Sequence, residues 1–340
     1  MRERLASLAA MLFATSAIAS VANAQASYPC VNDAPNPYHQ VPWSASPRAL
    51  GPVNSVFVDG MDDVWVADRC GTPVDGAEGC AGAGLPTVRR FDSSGKTLWS
   101  FRPGELVSPH GIAGDPDGNI WVADFQANKA GTKGMQVIGF ASDGTVIRRI
   151  GKPGQPGPGN DAFNQPTGVV YVNGFLAIAE GHGSKMNKSR INLYTRTGDF
   201  VRSFASHGTG DGQLTEPHAI AADSRDRIYV ADRTGNRINV YEKDGKFVTA
   251  WKQFGRPSGV TVDKNDMIYV ADSQSTDMNN PGCKMGIRIG SVKDGKVTAY
   301  IPPPPGVTKD LPPPEGIAVD SKGTIYAAAV QMKAIIKYAK

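Results

Sequence analysis

The phrase "SPHGIAGDPDGNIWVAD", Ser108 to Asp124, returns about a hundred residues later as "EPHAIAADSRDRIYVAD", Glu216 to Asp232. The same pattern recurs as "PVNSVFVDGMDDVWVAD" (Pro52 to Asp68), "QPTGVVYVNGFLAIAE" (Gln165 to Glu180), "RPSGVTVDKNDMIYVAD" (Arg256 to Asp272) and "PPEGIAVDSKGTIYAAA" (Pro313 to Ala329), six copies in all. Each copy is a short alternating strand, a polar turn and a second strand, which is a hairpin signal. A second hairpin follows most copies, as in "RINVYEKDGKFVTAWK" from Arg237 to Lys252, where Asp244-Gly245 accepts positive φ. The unit is therefore four antiparallel strands.

Strand units recurring at 40 to 57 residues, with no amphipathic helix between them, describe a propeller and not a helical solenoid. The expected fold is all-β, a single six-bladed β-propeller domain over residues 25–340. The last copy stops at Lys340 with its third strand. The segment of about residues 25–50, with Tyr38 to Ala45 as the candidate strand, is expected to complete that blade and remove two exposed edges.

Residues 1–24 carry Arg2 and Arg4 ahead of an apolar run and end in Ala22-Asn23-Ala24. That is the pattern of a secretory signal peptide, so a periplasmic or secreted protein is expected, with no membrane partner. The four cysteines suit two disulfides in an exported chain, Cys70 with Cys80 and Cys30 with Cys283. Net charge is +4 and the sequence has no block of basic residues with interleaved aromatics, so a nucleic-acid partner is not expected. Serine-hydrolase, phosphate-loop and dinucleotide signatures are absent.

In a propeller the first strand of each unit lines the central channel, so equivalent positions form a ring. The third slot of the aligned copies gives Asn54, His110, Thr167, His218, Ser258 and Glu315. Ligand-type side chains fall in alternate blades, ~120° apart in a sixfold ring. A lone histidine at a strand start is more simply read as bonding its turn. Here two of only five histidines share one slot, with a carboxylate in the third alternate blade. His110, His218 and Glu315 are thus the candidate ligands of a divalent metal, with zinc expected and iron(II) the second choice.

Beyond each second strand the chain returns to the same channel mouth, where Arg69, Arg233 and His182, within "EGHG", are the candidate catalytic residues. Arginine suits a carboxylate gripped bidentately, against the simpler reading of an ion pair with a neighbouring blade's aspartate. Neutral His182 suits a general base or a further metal ligand, against a loop residue without a role. The recurring Asp68, Asp124, Asp232 and Asp272 read as turn caps, and His39 and His207 as loop residues.

These residues resemble the NHL-repeat propellers, and more narrowly the catalytic core of the peptidyl-α-hydroxyglycine α-amidating lyases. The narrower resemblance rests on the placed histidines and on "ADR" at Ala67 to Arg69 and Ala231 to Arg233. It implies three zinc-binding histidines where this chain has His110, His218 and Glu315, an active-site arginine at Arg69 and a tyrosine where His182 stands. It also implies a calcium-binding aspartate at the position of Gly316, so a structural calcium is not expected. The implied function is a metal-dependent lyase acting on a small-molecule or peptide substrate in the channel, as a monomer. The other function class is a non-catalytic propeller that binds a protein or glycan.

Overall fold

The computed structural model describes residues 30–69, 85–101, 104–183, 188–308 and 313–340. The proposed signal peptide and the Cys70–Cys80 pair lie outside the described residues. Among those described there are six four-stranded antiparallel sheets, each ordered as consecutive strands, with one exception. The last sheet takes its outer strand from His39–Val41, which pairs with Ala334–Ala339 in the register His39↔Ala339 and Val41↔Lys337. The N-terminal segment thus closes the ring, and His39 belongs to the closing strand instead of a loop. Cys30 and Cys283 are disulfide-bonded.

The inner strands are Val53–Val58, Pro109–Gly114, Pro166–Val172, Pro217–Ala222, Pro257–Val262 and Gly316–Val319. Each second strand is almost wholly buried, whereas outer strands such as Val146–Ile150 and Phe200–Phe204 are exposed along their middle. This gradient follows from the geometry, since a middle strand is packed on both faces and an outer one is not. Among the described residues the buried apolar side chains form six clusters, each between two adjacent blades; Val56, Val66, Ala328 and Ile335 form part of the one that joins the last blade to the first. Stability therefore depends on the closed circle.

Asp115 shows how the inner hairpins are made. Its carboxylate takes the backbone N–H groups of Asp117 and Asn119, and its second oxygen takes the Trp121 indole N–H at 3.0 Å. Asp59 with Trp65, Asp223 with Tyr229 and Asp263 with Tyr269 repeat the device. The third blade lacks the aspartate and turns instead through Asn173-Gly174, both at positive φ, as a two-residue hairpin requires.

Candidate metal centre

In four of the six blades the ring slot is a β-bulge. Pro109 pairs with Asp124 and Gly111 with Ala123, so His110 is an extra residue with no partner in the ladder. Thr167, His218 and Ser258 occupy the same bulge in their blades. An extra residue breaks the in–out alternation and re-aims its side chain. All six slot residues line one narrow cavity of ≈ 60 Å³ on the channel.

The blades between the ligand-bearing ones orient the imidazoles. His110 Nδ1 lies 2.8 Å from Thr167 O and His218 Nδ1 lies 2.7 Å from Ser258 O, each a carbonyl of the next blade's slot residue. A carbonyl only accepts, so both rings carry their proton on Nδ1 and offer a lone pair at Nε2. Gly111 makes this approach feasible, since a Cβ there would meet Thr167 O at 2.6 Å. Asn54 Nδ2 donates to His110 Nε2 at 2.9 Å and to Glu315 Oε2 at 3.4 Å. Among the described residues His218 Nε2 is buried without a hydrogen-bond partner, 3.7 Å from Glu315 Oε2.

His182 joins this pair. The ligand atoms of His110, His182 and His218 lie within 4.8 Å of one another, and Glu315 is not in that set. Burial and neighbouring cationic groups hold His110 and His218 well below the ordinary histidine pKa. Burial, then Arg233, lowers His182 to about 4, although Glu216 pulls the other way. All three rings are neutral at pH 7. Three neutral imidazoles, one with an orphaned buried nitrogen, fit a divalent metal.

Arg69 is buried, donates Nε–H to Pro109 O at 3.0 Å and lies over the Phe125 ring. Burial lowers its pKa to about 10, against the opposing charges of Glu315 and Asp124. Arg233 is taken up by Glu216, with Nη2 2.7 Å from Oε1. Its partner is a glutamate of its own blade, not a neighbouring blade's aspartate. Burial pushes Glu216 up, but the hydrogen bond and charge of Arg233 and the Thr234 hydroxyl outweigh it, leaving a pKa of about 2.

The strand-ending aspartates do cap, and they cap the loop that leads into the inner strand. Asp124 takes the N–H groups of Val107 and Ser108, and Asp232 those of Thr215 and Glu216. The ring positions of His110 and His218 are fixed this way, two residues beyond each cap.

Sequence reasoning thus placed His110, His218, Glu315, Arg69, Arg233 and His182 around one channel mouth, and the structure brings the three histidines together most closely. It missed Glu216 and also Phe125, whose ring touches both His110 and His182 at centroid distances of 5.0 and 5.2 Å. The only signal for Glu216 was a carboxylate directly before the proline of a histidine copy. Gly316 is confined, because a Cβ there would meet Asn54 O at 2.2 Å, so no side chain fits where the resemblance implies a calcium ligand.

Residues 214–241 match the NHL repeat. The chain resembles the NHL-repeat propellers. Mouse NHL repeat-containing protein 3 is 28% identical over 83% of this chain and 78% of its own length. Peptidyl-glycine alpha-amidating monooxygenase B of Xenopus laevis is 28% identical over 72% of this chain, which spans only 28% of that protein. Peptidyl-alpha-hydroxyglycine alpha-amidating lyase 1 of Drosophila melanogaster is 29% identical over 57% of this chain and 36% of its own length. A streptogramin B lyase structure shares the fold, with a TM-score of 0.54 at 17% identity over 89% of this chain and 97% of that one.

Proposed function

We propose that this propeller is an exported, metal-dependent enzyme of the amidating-lyase kind, cleaving the C–N bond of an α-hydroxyglycine-type substrate to an amide and glyoxylate. The observation that carries this reading is the convergence of His110, His182 and His218 at a channel mouth that also holds a buried arginine. A divalent ion held by those three imidazoles, zinc before iron(II), would supply Lewis acidity to a substrate hydroxyl. Arg69 grips the substrate carboxylate, while Arg233 is committed to Glu216. Glu315, in the channel beside His218, takes the hydroxyl proton at Oε2 and returns one to the departing amide nitrogen, so the proton count closes.

The test is glyoxylate release from an N-acyl-α-hydroxyglycine. Wild type is expected to turn over, Arg69→Ala to raise KM for this carboxylate substrate, and Glu315→Gln to keep its metal while kcat falls about 10²-fold or more. Loss of metal in Glu315→Gln would move Glu315 into the ligand set. No glyoxylate from a metal-loaded wild type would remove the lyase reading. A non-catalytic platform for a protein or glycan is the second reading, favoured by the match along most of both chains to a relative named only for its repeats.

A further inference from the structure

Glu216 holds two pieces of the site at once. Its Oε1 accepts from Arg233 Nη2 at 2.7 Å and from the Gly183 N–H at 3.1 Å, and its Oε2 accepts from the Thr234 hydroxyl. Arg233 belongs to the fourth blade and Gly183 to the turn that carries His182 out of the third. That turn runs between Gly181 and Gly183, both at positive φ, so it sets little of its own geometry.

His110 and His218 have their Nδ1 protons taken by strand carbonyls, whereas His182 stands beyond its strand and has no such carbonyl neighbour among the described residues. Arg233 Nη2 lies 3.3 Å from His182 Nε2, and His182 Nδ1 faces Glu216 Oε1 at 4.0 Å. Arginine has donors and no acceptor, so its N–H can only point at a lone pair. The neutral ring of His182 therefore carries its proton on Nδ1, on the side of the carboxylate.

We propose that Glu216 is a positioning residue for His182: it tethers the glycine-flanked turn and, in metal-free protein, holds Arg233 at the Nε2 lone pair that a metal would take over, so that all three imidazoles share the Nδ1–H tautomer. The carboxylate–histidine arrangement that orients metal ligands elsewhere is met here through one side chain serving two blades. The inference rests on the metal reading for its purpose, but its geometry is testable in metal-free protein.

The experiment is long-range 15N–1H correlation of the histidine rings in metal-free protein, in wild type, Glu216→Gln and Arg233→Gln. Expected is Nδ1–H for His110, His182 and His218 in wild type, with His182 alone shifting toward Nε2–H or a mixture in both variants. Glutamine can accept as well as donate, so Arg233→Gln releases the lock with Glu216 still present, and it decides the matter if Glu216→Gln does not fold. An unchanged His182 in the folded variants, or Nε2–H at His182 in wild type, would overturn the proposal. Metal titration of the same proteins is expected to show affinity about 10- to 100-fold weaker in Glu216→Gln. A wild type that binds no metal would remove the metal reading and leave the tautomer result to judge Glu216.

Discussion

Burial makes the histidines of the ring work as lone-pair donors. His110 and His218 are 3% and 2% exposed, and a charged ring in that position would lose its hydration and be repelled by the Arg233 guanidinium. The linkage follows in sign. Each folded-state pKa is lowered, so the unfolded chain binds protons first, and stability is lost as pH falls below about 6.5. In metal-free protein the slope of unfolding free energy against pH should be shallower in His110→Ala than in wild type by about 1.4 kcal/mol per pH unit below pH ~5.5. Urea titrations across that range check it, and equal slopes would mean that His110 is protonated in the folded state. His110 and His218 were legible in the sequence because a repeat converts position in a copy into position on a ring. Glu216 was not, because its partners sit in a turn 33 residues earlier and beyond a strand 17 residues later.

At the scale of the element, the hairpin aspartates carry the ladder. Asp223 accepts from the N–H groups of Arg225 and Arg227, from Arg227 Nε at 2.8 Å and from the Tyr229 hydroxyl at 2.9 Å. Burial raises its pKa, but these donors outweigh it and hold the carboxylate below its ordinary value. The stabilisation is therefore present above pH ~4 and lost as pH falls through the lowered folded value. Asp223→Asn should cost about 1–3 kcal/mol at pH 7 and much less at pH 3, read from urea unfolding at each pH. A cost that does not vary with pH would assign the effect to packing. The hairpins themselves were plain from alternation and turn residues. The aspartate six residues before each aromatic was equally visible as a pattern, yet period-two reasoning treats a turn residue as solvated and gives it no partner. The bulge was invisible for a related reason, since alternation assigns His110 a face but cannot mark it as an inserted residue.

At the scale of the whole molecule, closure joins the two chain ends. The strand His39–Val41 and the Cys30–Cys283 bond fix the N-terminal segment to blades that come last in the chain, and Val31 O and Asn32 Oδ1 accept from the buried Arg288 guanidinium. Cys30→Ser should lower unfolding free energy by about 2–5 kcal/mol, checked by the urea midpoint of non-reduced protein, and Cys283→Ser should match it. A variant as stable as the oxidised wild type would show that strand pairing alone closes the ring. The N-terminal closure was legible because a four-strand count left the last blade one strand short. The same circular arithmetic brings His110 and His218, far apart in the chain, onto one axis, and the metal centre stands or falls with it. The direct measurement is metal content and zinc titration of protein purified without chelators, in wild type, His110→Ala and His218→Ala. The account predicts one divalent ion per wild-type chain and none in either variant, with all three equally folded by circular dichroism. A metal-free wild type that takes up no zinc, or variants that bind it as wild type does, would contradict the account.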